Sequence, residues 1–311
     1  MRRKKEVNSN RKRHYRLVRH YSFTIRGVSH LPYFGFKIRR RYNLMRHKRI
    51  IKILTPLFDE VMQITNQKSK QNNVLNGNSY DTVWFFWWQG KDQITDLSNK
   101  CYKSLLKNKG KRKVVFISKN NFQKYAKLPD YIVEKFEAGL ITKTHFSDIL
   151  RFNLLRNYGG LWVDATLYFT ASLDMFKTQE LITCSGYPDE LKYNIAYGRW
   201  TGFFIGGPRE IDIFSFMDNF FLEYWKQNDY LIDYYLIDYA LHYAWQKNLS
   251  AFRDICKKNS GKQPRLFDLQ SKLGEDYDSS QWEALKEKTC VFKLSNKMNF
   301  RRGKGTLYYK L

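Results

Sequence analysis

Residues 147–166 read Ser-Asp-Ile-Leu-Arg-Phe-Asn-Leu-Leu-Arg-Asn-Tyr-Gly-Gly-Leu-Trp-Val-Asp-Ala-Thr, and the fold is decided here. Ile149, Leu150, Phe152, Leu154 and Leu155 recur at helical spacing. Asp148 and Arg151 lie three residues apart, so both project from one face of that helix. Asn157, Gly159 and Gly160 then stop it, because these residues tolerate a positive φ that bulkier ones resist. Leu161-Trp162-Val163 follows as a short buried strand. Asp164 stands at its end, where an α/β sheet presents its ligand-binding groups.

An Asp in that place, beside a nucleotide diphosphate, can hold a divalent cation or a ribose hydroxyl. Taken alone it is equally well a cap or a turn residue. It does not stand alone: Asp148-x-x-Arg151, then Gly159-Gly160, then aromatic-aliphatic-Asp164 resembles the core signature of family 32 glycosyltransferases and the glucosylating clostridial toxins. The variant Gly-Gly-Leu-Trp-Val-Asp-Ala-Thr is more similar to the capsular polysaccharide synthesis branch of that superfamily. The resemblance covers roughly residues 80–300 and implies an α/β domain of the glycosyltransferase-A type, an open mixed sheet flanked by helices. It further implies a retaining transfer of a hexose from a nucleotide diphosphate donor, UDP-linked, to a glycan or lipid-linked glycan. By the toxin-like pattern Asp148 and Arg151 meet the donor sugar's hydroxyls, and Asp164 the ribose and metal region.

One position departs from the pattern. The usual motif is Asp-x-Asp, and here Thr166 takes the place of the second acid. A neutral hydroxyl is a poor ligand for Mg²⁺ or Mn²⁺, which favour charged oxygens. The expectation is still a bound Mn²⁺ or Mg²⁺ at Asp164 and Thr166, completed by the diphosphate, waters and another acid such as Asp238. The alternative is that Lys293, Lys297 and Arg151 carry the charge without a cation.

Working outward, Val83-Trp84-Phe85-Phe86-Trp87-Trp88 is a continuous apolar run bounded by Gln89-Gly90, as in a buried first strand. Trp88-Gln89-Gly90 resembles the Trp-x-Gly of the toxin-like enzymes, which implies that Trp88 stacks on the donor's uracil. A helix over Asp96–Asn108 and a strand over Val114–Ile117 complete a βαβ unit, hence a parallel sheet. Ser118, Asn120 and Asn121 follow it and either line the nucleotide pocket or form a turn. Pro129–Leu140 reads as a helix, Leu167–Phe169 and Leu181–Ser185 as short strands, and Ile211–Gln227 and Leu231–Lys247 as strong helices. Trp200–Pro208 looks like the family's later strand, whose end returns towards the donor sugar.

Asp238 sits in a largely apolar helix and needs either a partner or a ligand. Its segment is similar to a capsular-family stretch ending Ile-Asp-Tyr. Val291–Lys297 resembles that family's closing Lys-Leu-(Ser/Thr)-x-Lys; Lys293 and Lys297 either neutralise a departing diphosphate or protect an edge strand.

The charge is unevenly placed. Residues 1–52 hold 18 Lys or Arg against the single acid Glu6, a net +17 of the chain's +26. Interleaved with aromatics, such a segment suits an anionic surface, phospholipid in preference to nucleic acid. A helix is expected over residues 50–67, ended or kinked at Pro56. An Asn-rich linker follows over 66–80. The reading is thus a basic N-terminal extension, residues 1–79, and a catalytic domain, residues 80–311. Cys101, Cys184, Cys256 and Cys290 form no Cys-x-x-Cys pair, so neither a zinc site nor a disulfide framework is expected. With no run of about 18 apolar residues, the expected location is the cytoplasm, peripherally at the membrane's inner face. Two rivals remain, a basic nucleic-acid-binding protein and a noncatalytic relative that binds sugar without turnover.

Overall fold

The computed structural model describes residues 34–69, 81–176, 180–209, 211–258 and 261–311. Residues 1–33 and 70–80, which carry much of the basic segment and of the expected linker, lie outside them. The chain enters as α1 (Phe34–Ser69), then forms β1 (Thr82–Phe86), α2 (Asp96–Asn108) and β2 (Lys113–Ile117). Next come α3 (Phe122–Tyr125), α4 (Asp130–Glu137), α5 (Lys143–Tyr158), β3 (Gly160–Val163), β4 (Leu167–Phe169), β5 (Ile182–Thr183) and β6 (Phe204–Gly207). The remainder is α6 (Asp212–Gln227), α7 (Leu236–Gln246), α8 (Phe252–Ile255), α9 (Asp268–Lys272), α10 (Ser279–Lys286), β7 (Val291–Lys293) and α11 (Leu307–Lys310).

The central sheet runs β2-β1-β3-β6-β5. β1 is parallel to β2 and to β3, while β6 is antiparallel to both β3 and β5. This is the expected open mixed sheet flanked by helices, consistent with the glycosyltransferase-A type. Side chains alternate across it with period two. Val83, Phe85, Leu161, Val163 and Phe204 join one core with Leu105 of α2, and Trp84, Phe86, Trp162 and Ile205 join the other with α5, α6 and α7. Trp84 is fully packed there, and its indole N–H donates to the Gly159 carbonyl at 2.8 Å.

The two glycines do what their positions demand. Gly159 and Gly160 have φ of +68° and +93°, and a Cβ on Gly160 would stand 2.4 Å from the Thr82 carbonyl oxygen. Only there can α5 turn straight into a strand beside β1. A second ribbon, β4 antiparallel to β7, lies outside the main sheet and pairs Leu167 with Lys293.

Two elements differ from the sequence reading. The helix expected over 50–67 begins at Phe34 and runs through Pro56 to Ser69. Proline in a helix interior costs about 3 kcal/mol, and here the flanking Leu54, Leu57 and Phe58 offset it by burial in the core shared with α6 and α7. Each such side chain contributes roughly 1.5–3 kcal/mol, and Pro56 itself faces solvent. Residues 34–69 therefore share one hydrophobic core with the chain beyond residue 80. The second helix of the pair starts at Leu236, because Asp233 makes a turn in which its carboxylate accepts from the Tyr235 N–H at 2.8 Å.

Candidate active site

The parallel strands β1 and β3 end on the same edge of the sheet, and antiparallel β6 begins there. The Asp164 N–H donates to the Phe203 carbonyl at 3.0 Å, which fixes the carboxylate just beyond β3. A cleft of about 400 Å³ opens at this edge, lined among others by Asp148, Arg151, Asp164, Asn194, Asp238 and Lys293. Gly202 and Phe203, just before β6, form part of its wall, so the start of this antiparallel strand, and not its end as expected for Trp200–Pro208, borders the cleft.

Asp164 is the hub. One oxygen accepts from the Trp162 indole at 2.8 Å and from Arg151 at 3.0 Å; the other accepts from Lys293 Nζ at 2.8 Å. Burial pushes the Asp164 carboxyl up, but the Lys293 ammonium and the Arg151 guanidinium outweigh it and hold the carboxyl below its ordinary value. Arg151 reaches back one helical turn to Asp148 at 3.1 Å and lies over the Trp162 ring. A Cβ on Gly202 would stand 3.2 Å from Arg151, so the glycine leaves room for the guanidinium. His145 takes the Trp225 N–H on Nε2 at 2.8 Å, which leaves its proton on Nδ1, 3.5 Å from Asp148. Lys293 arrives by register: Leu167 N–H bonds back to the Asp164 carbonyl, and Leu294 N–H to that of Thr166.

Asp238, in the first turn of α7, forms the far side. Its oxygens accept from Asn194 at 2.7 Å and from the Trp200 indole at 3.1 Å. It is thus both a satisfied buried acid and a cleft residue. Burial raises its carboxyl to about 6, against the two hydrogen bonds that favour the charge. The native state consequently holds this proton up to higher pH than the unfolded chain, so stability falls as pH rises from about 4 to about 6. Asp238→Asn is expected to flatten that slope in denaturant titrations taken across the window. Turnover that needs the carboxylate ionised should fall as pH drops through about 6, and a profile level from pH 5 to 8 would remove Asp238 from the chemistry.

Four other proposed site residues lie elsewhere. Trp88 is half-buried among Phe122, Phe136 and Phe146, with the Phe136 ring centroid at 4.7 Å, and does not line the cleft. Exposed Asn120 lines a separate depression over β2, with Gln89, Gly90, Ser118 and Asn121. The Asn121 side chain closes a turn onto Ser118 and Phe116. Lys297 is exposed and Thr166 half-exposed, both outside the cleft lining.

The donor set fits a protein-held divalent cation poorly. Both Asp164 oxygens already carry cationic donors, Thr166 is not among the residues that line the cleft, and no group of three His, Cys, Asp or Glu among the described residues could hold a metal.

Reasoning from sequence missed the grip of α1 on the cleft wall. Asn43 donates to the Leu191 carbonyl at 2.9 Å and Arg46 to that of Tyr193 at 2.6 Å. His47 sits 2.9 Å from the Lys192 carbonyl, which can only accept, so Nε2 carries the proton and Nδ1 accepts from the Tyr239 hydroxyl at 2.8 Å. Arg46 also lies 3.9 Å from Asp233. The segment so held, 188–194, carries Asn194 to Asp238. Asn43 and His47 interrupt an apolar helical pattern, and that interruption was the only signal in the sequence.

Fold and cleft together define an α/β protein of glycosyltransferase-A-like architecture whose site is built from paired carboxylates and cations. The chain belongs to the capsular polysaccharide synthesis protein family, whose profile matches residues 31–311. No curated protein matches it.

Proposed function

We propose that the protein is a glycosyltransferase of capsule or cell-surface polysaccharide synthesis, of the branch related to family 32. It moves a hexose from a UDP-linked donor to a hydroxyl of a glycan or lipid-linked glycan, with retention, at the cytoplasmic face of the membrane. The observation that carries this reading is the array Asp148–Arg151–Asp164–Lys293 at the C-terminal edge of the parallel strands. Retention and the UDP donor rest on the resemblance of residues 147–166.

In the reaction the bond from the anomeric carbon to the diphosphate oxygen breaks, and charge gathers on the departing phosphate. Lys293 and Arg151 are fixed, desolvated donors beside that position, and such preorganised groups lower the barrier because they need no reorientation. Asp148, held by Arg151 and His145, accepts from donor-sugar hydroxyls and orients the ring. Asp238, beside Asn194, is the carboxylate nearest in character to a base for the acceptor hydroxyl. Trp88 and Asn120 stand at the ends of β1 and β2, where the Lys119 N–H bonds to the Trp88 carbonyl, and we assign the base of the nucleotide to that region.

A panel of nucleotide sugars tests the reading by thermal shift and hydrolysis. A UDP-sugar should raise the unfolding midpoint by mass action and be slowly hydrolysed. If no nucleotide sugar in the panel does either, the assignment fails. Hydrolysis is expected to survive exhaustive chelation with EDTA. Loss that Mn²⁺ restores would hand the electrostatic role to a cation after all.

A further inference from the structure

The basic N-terminal charge is not absorbed by the cleft, and α1 shows what part of it is arranged. Lys37, Arg41, the adjacent pair Leu44 and Met45, Lys48 and Lys52 recur at steps of three and four along the helix and form a single ridge. All six are exposed, Met45 by 53% and Leu44 by 37%, and Ile38 at the ridge's margin by 48%. No acidic residue occurs between Glu6 and Asp59, so nothing on this stretch of chain neutralises the ridge. The opposite face is the one that holds residues 191–193 of the cleft wall.

We propose that this ridge docks on an anionic phospholipid bilayer. Cations alone would suit nucleic acid equally. Leu44, Met45 and Ile38 decide the matter, because a lipid interface takes apolar side chains below its headgroups while phosphate contacts are made by the flanking Lys and Arg. A phosphodiester backbone would leave the same three side chains in water. One helix thus carries the ridge on one side and grips residues 191–193 on the other. The docking does not rest on the glycosyltransferase reading.

The test is co-sedimentation of the full chain with vesicles of phosphatidylcholine, with or without 30 mol% (approximately) phosphatidylglycerol. Binding is expected only with the anionic lipid. The quadruple variant Lys37→Gln, Arg41→Gln, Lys48→Gln, Lys52→Gln should bind roughly a hundredfold or more weakly, at about fivefold per cation. The double variant Leu44→Ser, Met45→Ser keeps every charge and should also bind more weakly. Both should keep the wild-type melting temperature and any nucleotide-sugar hydrolysis measured without vesicles, which separates this test from that of the enzymatic reading. Undiminished vesicle binding by the quadruple variant overturns the proposal. So does a double variant that binds like wild type while a short DNA duplex displaces the vesicles, which would mark the ridge as a nucleic-acid surface.

Discussion

Replacing Lys293 by Met is expected to lower kcat for sugar transfer or donor hydrolysis by about 10²–10³, the cost of removing one preorganised donor from a developing anion. The side chain supplies the only described cation on the second Asp164 oxygen, at 2.8 Å. It is held by β-ribbon register and not by a flexible loop, since Lys293 faces Leu167 across β4 and β7. Methionine keeps the aliphatic stem against Phe203, over which the ammonium lies at 4.5 Å, and loses only the charge. KM should change less than kcat, because the ammonium meets more charge in the transition state than in the bound donor. Asp164→Asn should be at least as damaging: an amide offers one acceptor oxygen to three donors that now share two. Circular dichroism of both variants should match the wild type. Wild-type kcat in Lys293→Met would show that this cation belongs to the fold alone.

Deleting residues 1–52 is expected to unfold the protein or lower its melting temperature by more than about 10 °C, whereas deleting residues 1–33 should leave the fold and the cleft intact. The longer deletion takes away Asn43, Arg46 and His47 with their hydrogen bonds to the cleft wall, and the fully buried Ile50. Ile50 contributes roughly 1.5–3 kcal/mol and the buried hydrogen bonds about 1 kcal/mol each. Against a total stability of about 5–15 kcal/mol that loss is decisive. His47→Ala is the milder variant. Burial brings the His47 imidazole down to about 4, so it stays neutral in the fold while the unfolded chain takes up a proton below about 6.5. Its contribution is therefore present at neutral pH and is lost as pH falls from about 6.5 to about 4. His47→Ala should be destabilising at pH 7.5 and progressively less so in acid. A 1–52 deletion with wild-type melting would mean that α1 is dispensable.

How much of this could be read from the chain depends on sequence distance. Asp148, Arg151 and Asp164 span 17 residues of one helix, turn and strand, and their local pattern predicted their meeting. The continuous apolar run from Val83 predicted a buried strand, and β1 is one, with a partner on either side. The resemblance offered Lys293 as a partner for the diphosphate, but its link to Asp164 went unread, because no local rule joins a lysine to a carboxylate 129 residues away. Nothing in the sequence pointed to Asn194 or Trp200 as partners of Asp238; they meet it only when a loop and a helix pack together. The first half of α1 was missed for a different reason. Its buried face is polar and its exposed face partly apolar, so its hydrophobic pattern is weak, and tertiary contacts supply what periodicity lacks.

The β4–β7 ribbon also sets an order of events. Asp164 is synthesised well before Lys293, and at about 5–20 residues per second the 129-residue separation corresponds to roughly 6–26 s. Through that interval the sheet, α5 and the Arg151 contact can form, while the carboxylate still lacks its ammonium partner. The nascent chain thus carries a cleft of incomplete charge, and the Asp164 carboxylate gains its second cation only late in assembly.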